Sequence, residues 1–166
     1  PVRLGAFPQT LKDTEIRKKI EEAVQNGMLP HFPIKIGDAM TDLVQRYRLL
    51  RQPDQYPGGR YYQMEAPLFR QVLILSDALA AGYDQSKAEG LLSFRVDLFG
   101  LQTGVTTQKR WRDVLGEPNS TVSFDETLAY DYSLPVGTAD YYTIGNHQLL
   151  MYADENGILY AVRISD

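Results

Sequence analysis

The chain has 166 residues, no cysteine and a formal net charge of −4, with 43% hydrophobic and 23% charged residues. A chain of this size buries roughly two thirds of its unfolded surface, in one core or in two small fused units, and this composition excludes disorder as the default state. The acidic balance excludes a nucleic-acid binder, because neutralising phosphates needs a concentrated basic surface, and the densest basic run, Arg17 to Lys19, is followed within three residues by Glu21 and Glu22.

From the N-terminus, "TLKDTEIRKKIEEAVQNG" predicts a helix capped by Thr10 or Asp13, with Leu11, Ile16, Ile20, Ala23 and Val24 near helical spacing and Gly27 ending it. Pro30 and Pro33 then forbid continuation. "IKIGDAMTDLVQRYRLLRQP" opens with a short strand-like stretch and predicts a second helix over about residues 39–50, whose apolar stripe is Met40, Leu43, Val44, Tyr47 and Leu50. The period then changes to two. "GRYYQMEA", "RQVLILSDAL" and "GLLSFRVDLF" predict the strands of an antiparallel meander. A third helix runs from Thr106 or Thr107 to Leu115, with Gly116 as its C-terminal cap and Pro118 beyond it; "NST" at 119–121 reads as a turn. Four strand candidates close the chain: "TLAYDYSL", "ADYYTIGN", "HQLLMYAD" and "GILYAVRIS", with "ENG" at 155–157 as a hairpin turn.

The pattern repeats. Gly37 and Gly104 lie 67 residues apart, Pro53 and Pro118 65, Gly90 and Gly157 67, and Arg95 and Arg163 68. Landmarks that agree this closely predict two tandem copies of one helix-and-sheet unit. The expected organisation is an N-terminal helix and lead-in over residues 1–30, a first α+β repeat over 31–100 and a second over 101–166. Whether the two sheets are continuous stays open.

Within the last strand, alternation puts Ile158, Tyr160, Val162 and Ile164 on one face and Leu159, Ala161, Arg163 and Ser165 on the other. Helices with one apolar stripe each must then cover one face of the sheet, leaving a mixed open face. Trp111, three and four residues from Val114 and Leu115, fits the core, with a surface anchor as the alternative. Tyr130 and Tyr132 share a face, whereas the adjacent Tyr141 and Tyr142 point oppositely. Together with Arg95 and Arg163, these four tyrosines are the candidate residues for binding a protein or peptide on the open face. Ordinary cross-strand pairing explains them as well.

Catalytic signals are thin. His31 and His147 are the two histidines and there is no thiol, so a zinc site has no local ligand spacing behind it. Neither a nucleophile elbow nor a phosphate-binding glycine loop is present, "DENG" at 154–157 lacks the remaining ligands of a calcium loop, and nothing singles out one carboxylate pair. No enzymatic activity, cofactor or metal is expected. Nor is a transmembrane span, since no stretch reaches the roughly 18 to 20 apolar residues required. Absence of cysteine fits the cytoplasm or bacterial export without disulfides. Because the first residue is Pro1, a processed chain with its address segment removed is expected.

The segments "IKIGDAMTDLVQRY", "RYYQME", "TTQKRWRDVLGEP" and "GILYAVRIS" resemble a family of exported YjgB-like lipoproteins of Gram-positive bacteria, of unknown function. The resemblance covers most of residues 20–166. Trp111, Leu115, Gly116 and Pro118 match its helix exit in the second copy, while in the first Arg48 stands where the family has glycine. At the level of architecture the chain is similar to the tandem fold of the β-lactamase inhibitor proteins and of small outer-membrane assembly lipoproteins. What the resemblance implies is an extracytoplasmic compartment and a lipid anchor upstream; it supplies no catalytic residues. The expected function is non-enzymatic protein interaction in the cell envelope, with cell-wall glycan or a small ligand as the alternative.

Overall fold

The computed structural model of the chain describes residues 11–47, 54–56, 59–63, 72–76, 82–127 and 135–166. Tyr130 and Tyr132, most of the strand expected over 127–134, Thr10 and the expected last turn of the second helix lie outside the described residues.

Helix α1, Asp13–Gln25, buries Ile16, Ile20 and Val24, four residues apart and therefore on one stripe. Lys12, not Thr10 or Asp13, stands at its N-cap without a side-chain cap; Asp13 falls in the first turn, where the positive end of the helix favours a carboxylate. At the other end Gly27 adopts φ +70°. Its N–H donates to the Val24 carbonyl at 2.9 Å, and the Met28 N–H to that of Ala23 at 2.9 Å, which satisfies carbonyls the helix leaves over. Helix α2, Met40–Tyr47, buries Met40 and Leu43. Helix α3, Gln108–Leu115, starts where predicted: the Thr107 hydroxyl accepts from the Arg110 N–H at 3.2 Å, and Gly116 at φ +83° ends it.

Eight strands form one antiparallel sheet. In chain order the strands are β1 (Asp54–Tyr56), β2 (Gly59–Gln63), β3 (Val72–Leu75), β4 (Gly90–Ser93), β5 (Asp97–Leu98), β6 (Leu101–Gln102), β7 (Ser120–Phe124), β8 (Gly137–Ile144), β9 (His147–Asp154) and β10 (Leu159–Ser165). The large sheet runs β1-β2-β3-β4-β10-β9-β8-β7, and β5 with β6 makes a separate small hairpin. The fold is α+β. Two meanders therefore meet edge to edge, and the joint is β4 against β10 in the register Val162↔Ser93 to Ser165↔Gly90. The sheet is continuous across it.

Three expectations are corrected. First, Arg95 is not a strand residue. The Ser93 hydroxyl donates to the Arg95 carbonyl at 3.0 Å and accepts from the Arg95 N–H at 3.1 Å, and this local turn ends β4 at Ser93 and leaves Arg95 exposed in a bend. Second, the alternation along β10 changes phase. Leu159 faces Ala153 and Ala161 faces Tyr152, so Tyr160 is an extra residue in a bulge. Leu159 consequently joins Val162 and Ile164 on the helix side, and Tyr160 turns to the other face with Ala161. Third, the face away from the helices is not open. Leu73, Leu75, Leu92, Phe124, Ala139, Leu150, Tyr152 and Ala161 form a second buried cluster there, flanked by Tyr141 and Tyr160. Large rings account for part of this burial: Phe124 and Tyr152 lie 6.1 Å apart and Tyr152 and Tyr160 5.7 Å, spread over strands whose neighbouring positions are alanines. The buried residues of α1, α2 and α3 all belong to the first cluster, with Leu91, Leu149, Met151, Val162 and Ile164 of the sheet.

At Gly27 an added Cβ would stand 2.9 Å from the Ile36 Cβ, in a conformation that already disfavours L residues. Gly27→Ala is expected to lower stability by more than about 1 kcal/mol in urea unfolding. An unchanged midpoint would mean that the end of α1 does not depend on this turn.

Candidate functional site

One carboxylate lies wholly inside. Asp140, on β8 and in phase with the core residues Tyr142 and Ile144, is 0% exposed. A buried carboxylate needs donors on every lone pair. The Trp111 indole N–H donates to Oδ2 at 3.0 Å, the Arg112 Nε to Oδ2 at 2.8 Å and Nη2 to Oδ1 at 2.9 Å, and the Thr121 hydroxyl to Oδ1 at 2.8 Å. The Gln108 amide adds contacts of 3.4 Å to both oxygens. Burial pushes the carboxyl of Asp140 up, but the hydrogen bonds from Arg112, Thr121 and Trp111 outweigh it and hold the group below its ordinary value. With its acceptor positions occupied, Asp140 has no lone pair left to take a proton from a substrate. It is a structural anion that ties α3 to β8 and β7.

The residues singled out in the sequence separate in space. Tyr142 faces α3, donates its hydroxyl to the Gly116 carbonyl at 2.9 Å and is 6% exposed; burial raises its pKa. It is a core residue, because its neighbour Tyr141 takes the opposite side of the strand. Arg163 is 8% exposed and hydrogen-bonds Tyr152 inside the second cluster, where burial pushes the Tyr152 hydroxyl up to about 12. Its guanidinium satisfies a buried phenol instead of reaching solvent. Arg95 is exposed but sits beyond the sheet. Tyr141 alone of the described candidates keeps a half-exposed ring on the second face. Trp111 is fully buried, as its spacing predicts.

Histidine chemistry does not gather either. His31 is exposed at a turn with φ +62°, and His147 has its Nδ1 3.1 Å from Asp166 Oδ1. Among the described residues no three His, Cys, Asp or Glu side chains are placed to hold a metal ion, and no helix is long and apolar enough to cross a membrane.

The accessible feature is an edge. Strand β7, "STVSF", starts inside the stretch 119–121 that the sequence reading takes as a turn, and no strand is expected over its remaining residues. It pairs antiparallel with β8 from Ser120↔Tyr141 to Phe124↔Gly137, and among the described residues β8 is its one strand neighbour. Ser120, Thr121, Val122 and Ser123 are all exposed, Val122 at 39%. Thr121 is held by Asp140, so the strand is anchored from within although its residues 120–123 are exposed. Beside it, a cleft of about 300 Å³ is lined by Gln108, Lys109, Arg112, Asp113 and Glu117 of α3 and its exit.

No protein-family model matches the chain, and no curated protein matches it. Among solved structures, YjgB of Bacillus subtilis, a DUF4309-family protein, is similar over 92% of this chain and 96% of its own, with a TM-score of 0.53 and 11% sequence identity. This chain shares the fold of YjgB. At that identity the likeness is one of fold alone. A cysteine-rich secretory protein of Staphylococcus aureus is similar over 78% of this chain and 44% of its own, at 11% identity and a TM-score of 0.40, too low to carry an argument.

Replacing Asp140 by asparagine breaks the pair with Arg112, whose side chain is 31% exposed. The expected loss is about 2 to 3 kcal/mol, less than for a fully buried pair because water reaches the guanidinium. The folded pKa of Asp140 is lowered, so its contribution is complete above the ordinary aspartate value of about 3.9 and disappears as pH falls through the lower folded value. Urea unfolding of both proteins should therefore give a gap at neutral pH that closes in acid. A gap independent of pH would assign the effect to packing.

Proposed function

We propose that this protein is a non-enzymatic interaction module of the bacterial cell envelope that captures an extended segment of a partner protein along the β7 edge of its sheet. The observation that carries this reading is the strand itself. Ser120–Phe124 is uncharged, four of its five residues are exposed, and it contains neither the lysine, the proline nor the bulge by which edge strands usually prevent pairing. An added strand gains its affinity from main-chain hydrogen bonds, and Val122 with the half-exposed Tyr141 gives it an apolar step on one side. The expected binding surface thus moves from the sheet face to the sheet margin, because the face is occupied by a second core.

Extracytoplasmic location, a lipid anchor upstream and membership in the exported YjgB-like group belong to the same proposal. The motif resemblance supports them, and the shared fold is compatible with it. We also infer that residues 31–100 and 101–166 are copies of one unit, preceded by a lead-in over 1–30, in the manner of the β-lactamase inhibitor proteins. In support, α2 precedes the meander β1 to β4 as α3 precedes β7 to β10. Gly37 and Gly104 both take left-handed backbones at +99° and +84° and donate to the carbonyls of Ala88 and Leu159 respectively. The bridges Ala39↔Lys87 and Thr107↔Ile158 then close equivalent positions.

The alternative, a glycan or small ligand, has a cleft of about 310 Å³ between Met28, Lys35, Asp38, Asp42 and Arg46 to recommend it, but loses Tyr142, which is buried, from its set of candidate tyrosines. Fluorescence anisotropy with a labelled peptide of alternating threonine and valine tests the leading reading. Saturable binding is expected, weakened more than about tenfold when alternate amides are N-methylated, since each lost main-chain hydrogen bond matters. Equal binding of the two peptides rules out strand addition, and a thermal midpoint raised by cell-wall fragments instead would favour the glycan reading.

A further inference from the structure

The ends of the β7 edge carry charge that its middle lacks. Glu117 lies three residues before Ser120 and Glu126 two residues after Phe124, and both are exposed. The basic side chains nearest the edge are already engaged. Arg112 pairs with Asp140 at 2.8 Å, Lys109 with Asp113 at 3.2 Å, and Arg17, which shares a cleft with Glu117, with Glu21 at 3.4 Å. Among the described residues Glu117 at one end and Glu126 at the other therefore set a negative balance beside an uncharged strand, on a chain whose net charge is −4.

Resting on the strand-capture reading, we infer that the captured segment is a short β-branched stretch with a lysine or arginine at each end. Antiparallel or parallel addition both place its termini beside the two ends of β7, so one basic residue meets Glu117 and the other Glu126. A second copy of this chain is the occupant that the same charges oppose. Antiparallel self-pairing centred on Val122 sets Glu117 of each copy next to Glu126 of the other, and like charges across a pairing cost affinity. Such rim charges act on the encounter rate and on partner choice more than on the final contact, so they select among segments that the backbone alone would accept equally.

The test uses the intact protein and three labelled threonine–valine peptides, flanked by lysine, by glutamate or by serine, in low and high salt. Lysine flanks should bind on the order of tenfold tighter than serine flanks, glutamate flanks weaker by a similar factor, and both differences should shrink in high salt. The double variant Glu117→Lys, Glu126→Lys, with both sites exposed and outside the core, should reverse the order. Binding that ignores flank charge in both proteins overturns this inference while leaving strand capture standing. Failure of all three peptides, with a mass that doubles as concentration rises, overturns both in favour of self-association.

Discussion

A carboxylate cut off from water must receive its hydrogen bonds from the protein, and Asp140 takes them from two elements and so joins three. Trp111 and Arg112 come from α3, Thr121 from β7, and the aspartate itself from β8. No one of these contacts is unusual. Together they set the rotation of α3 about its own axis, because the indole and the guanidinium, adjacent in sequence, must both reach the same carboxylate. They also fix the register of an edge strand that has no large apolar side chain on its helix side to do so. Leaving any donor out would strand part of the anion in a medium that solvates it poorly, which is why the network is complete.

Around that point the sheet is buried on both sides, and this explains why its surface has little to offer a partner. Helices cover one side with Ile16, Ile20, Trp111 and Val114; on the other, Tyr152, Tyr160 and Phe124 lie over Ala139 and Ala161. Arg163 is the informative case. A guanidinium on a sheet face suggests recognition, yet here it hydrogen-bonds the hydroxyl of buried Tyr152. What remains available is the margin, where backbone and not side chain supplies the chemistry.

Much of the architecture was legible from periodicity. The three helices fall where 3.6-residue spacing puts them, though Lys12 takes the N-cap of α1 in place of Thr10 or Asp13, and both left-handed caps, Gly27 and Gly116, were readable as glycines after apolar stripes. Phase was less legible than period. The bulge at Tyr160 exchanges the faces of two residues without leaving a composition signal, and the hydroxyl of Ser93 ends a strand that alternation alone would prolong to Arg95. Strand β7 escaped because four exposed residues give a strand no hydrophobic rhythm. Asp140 was recoverable in principle: it stands in phase with Tyr142 and Ile144, and a lone acid at a core position implies donors elsewhere in the chain.

The joint between β4 and β10 carries a temporal consequence. Of the described strands β10 is last in chain order, yet it occupies the middle of the sheet between β4 and β9. Until it arrives, the first meander ends in a bare strand, Gly90–Ser93, whose side chains are destined for burial on both sides. Pairing across some seventy residues is slow compared with hairpin formation. During synthesis the protein thus passes through an interval in which its own future core is an adhesive edge, and quality control by chaperones would act on that interval and not on the finished molecule.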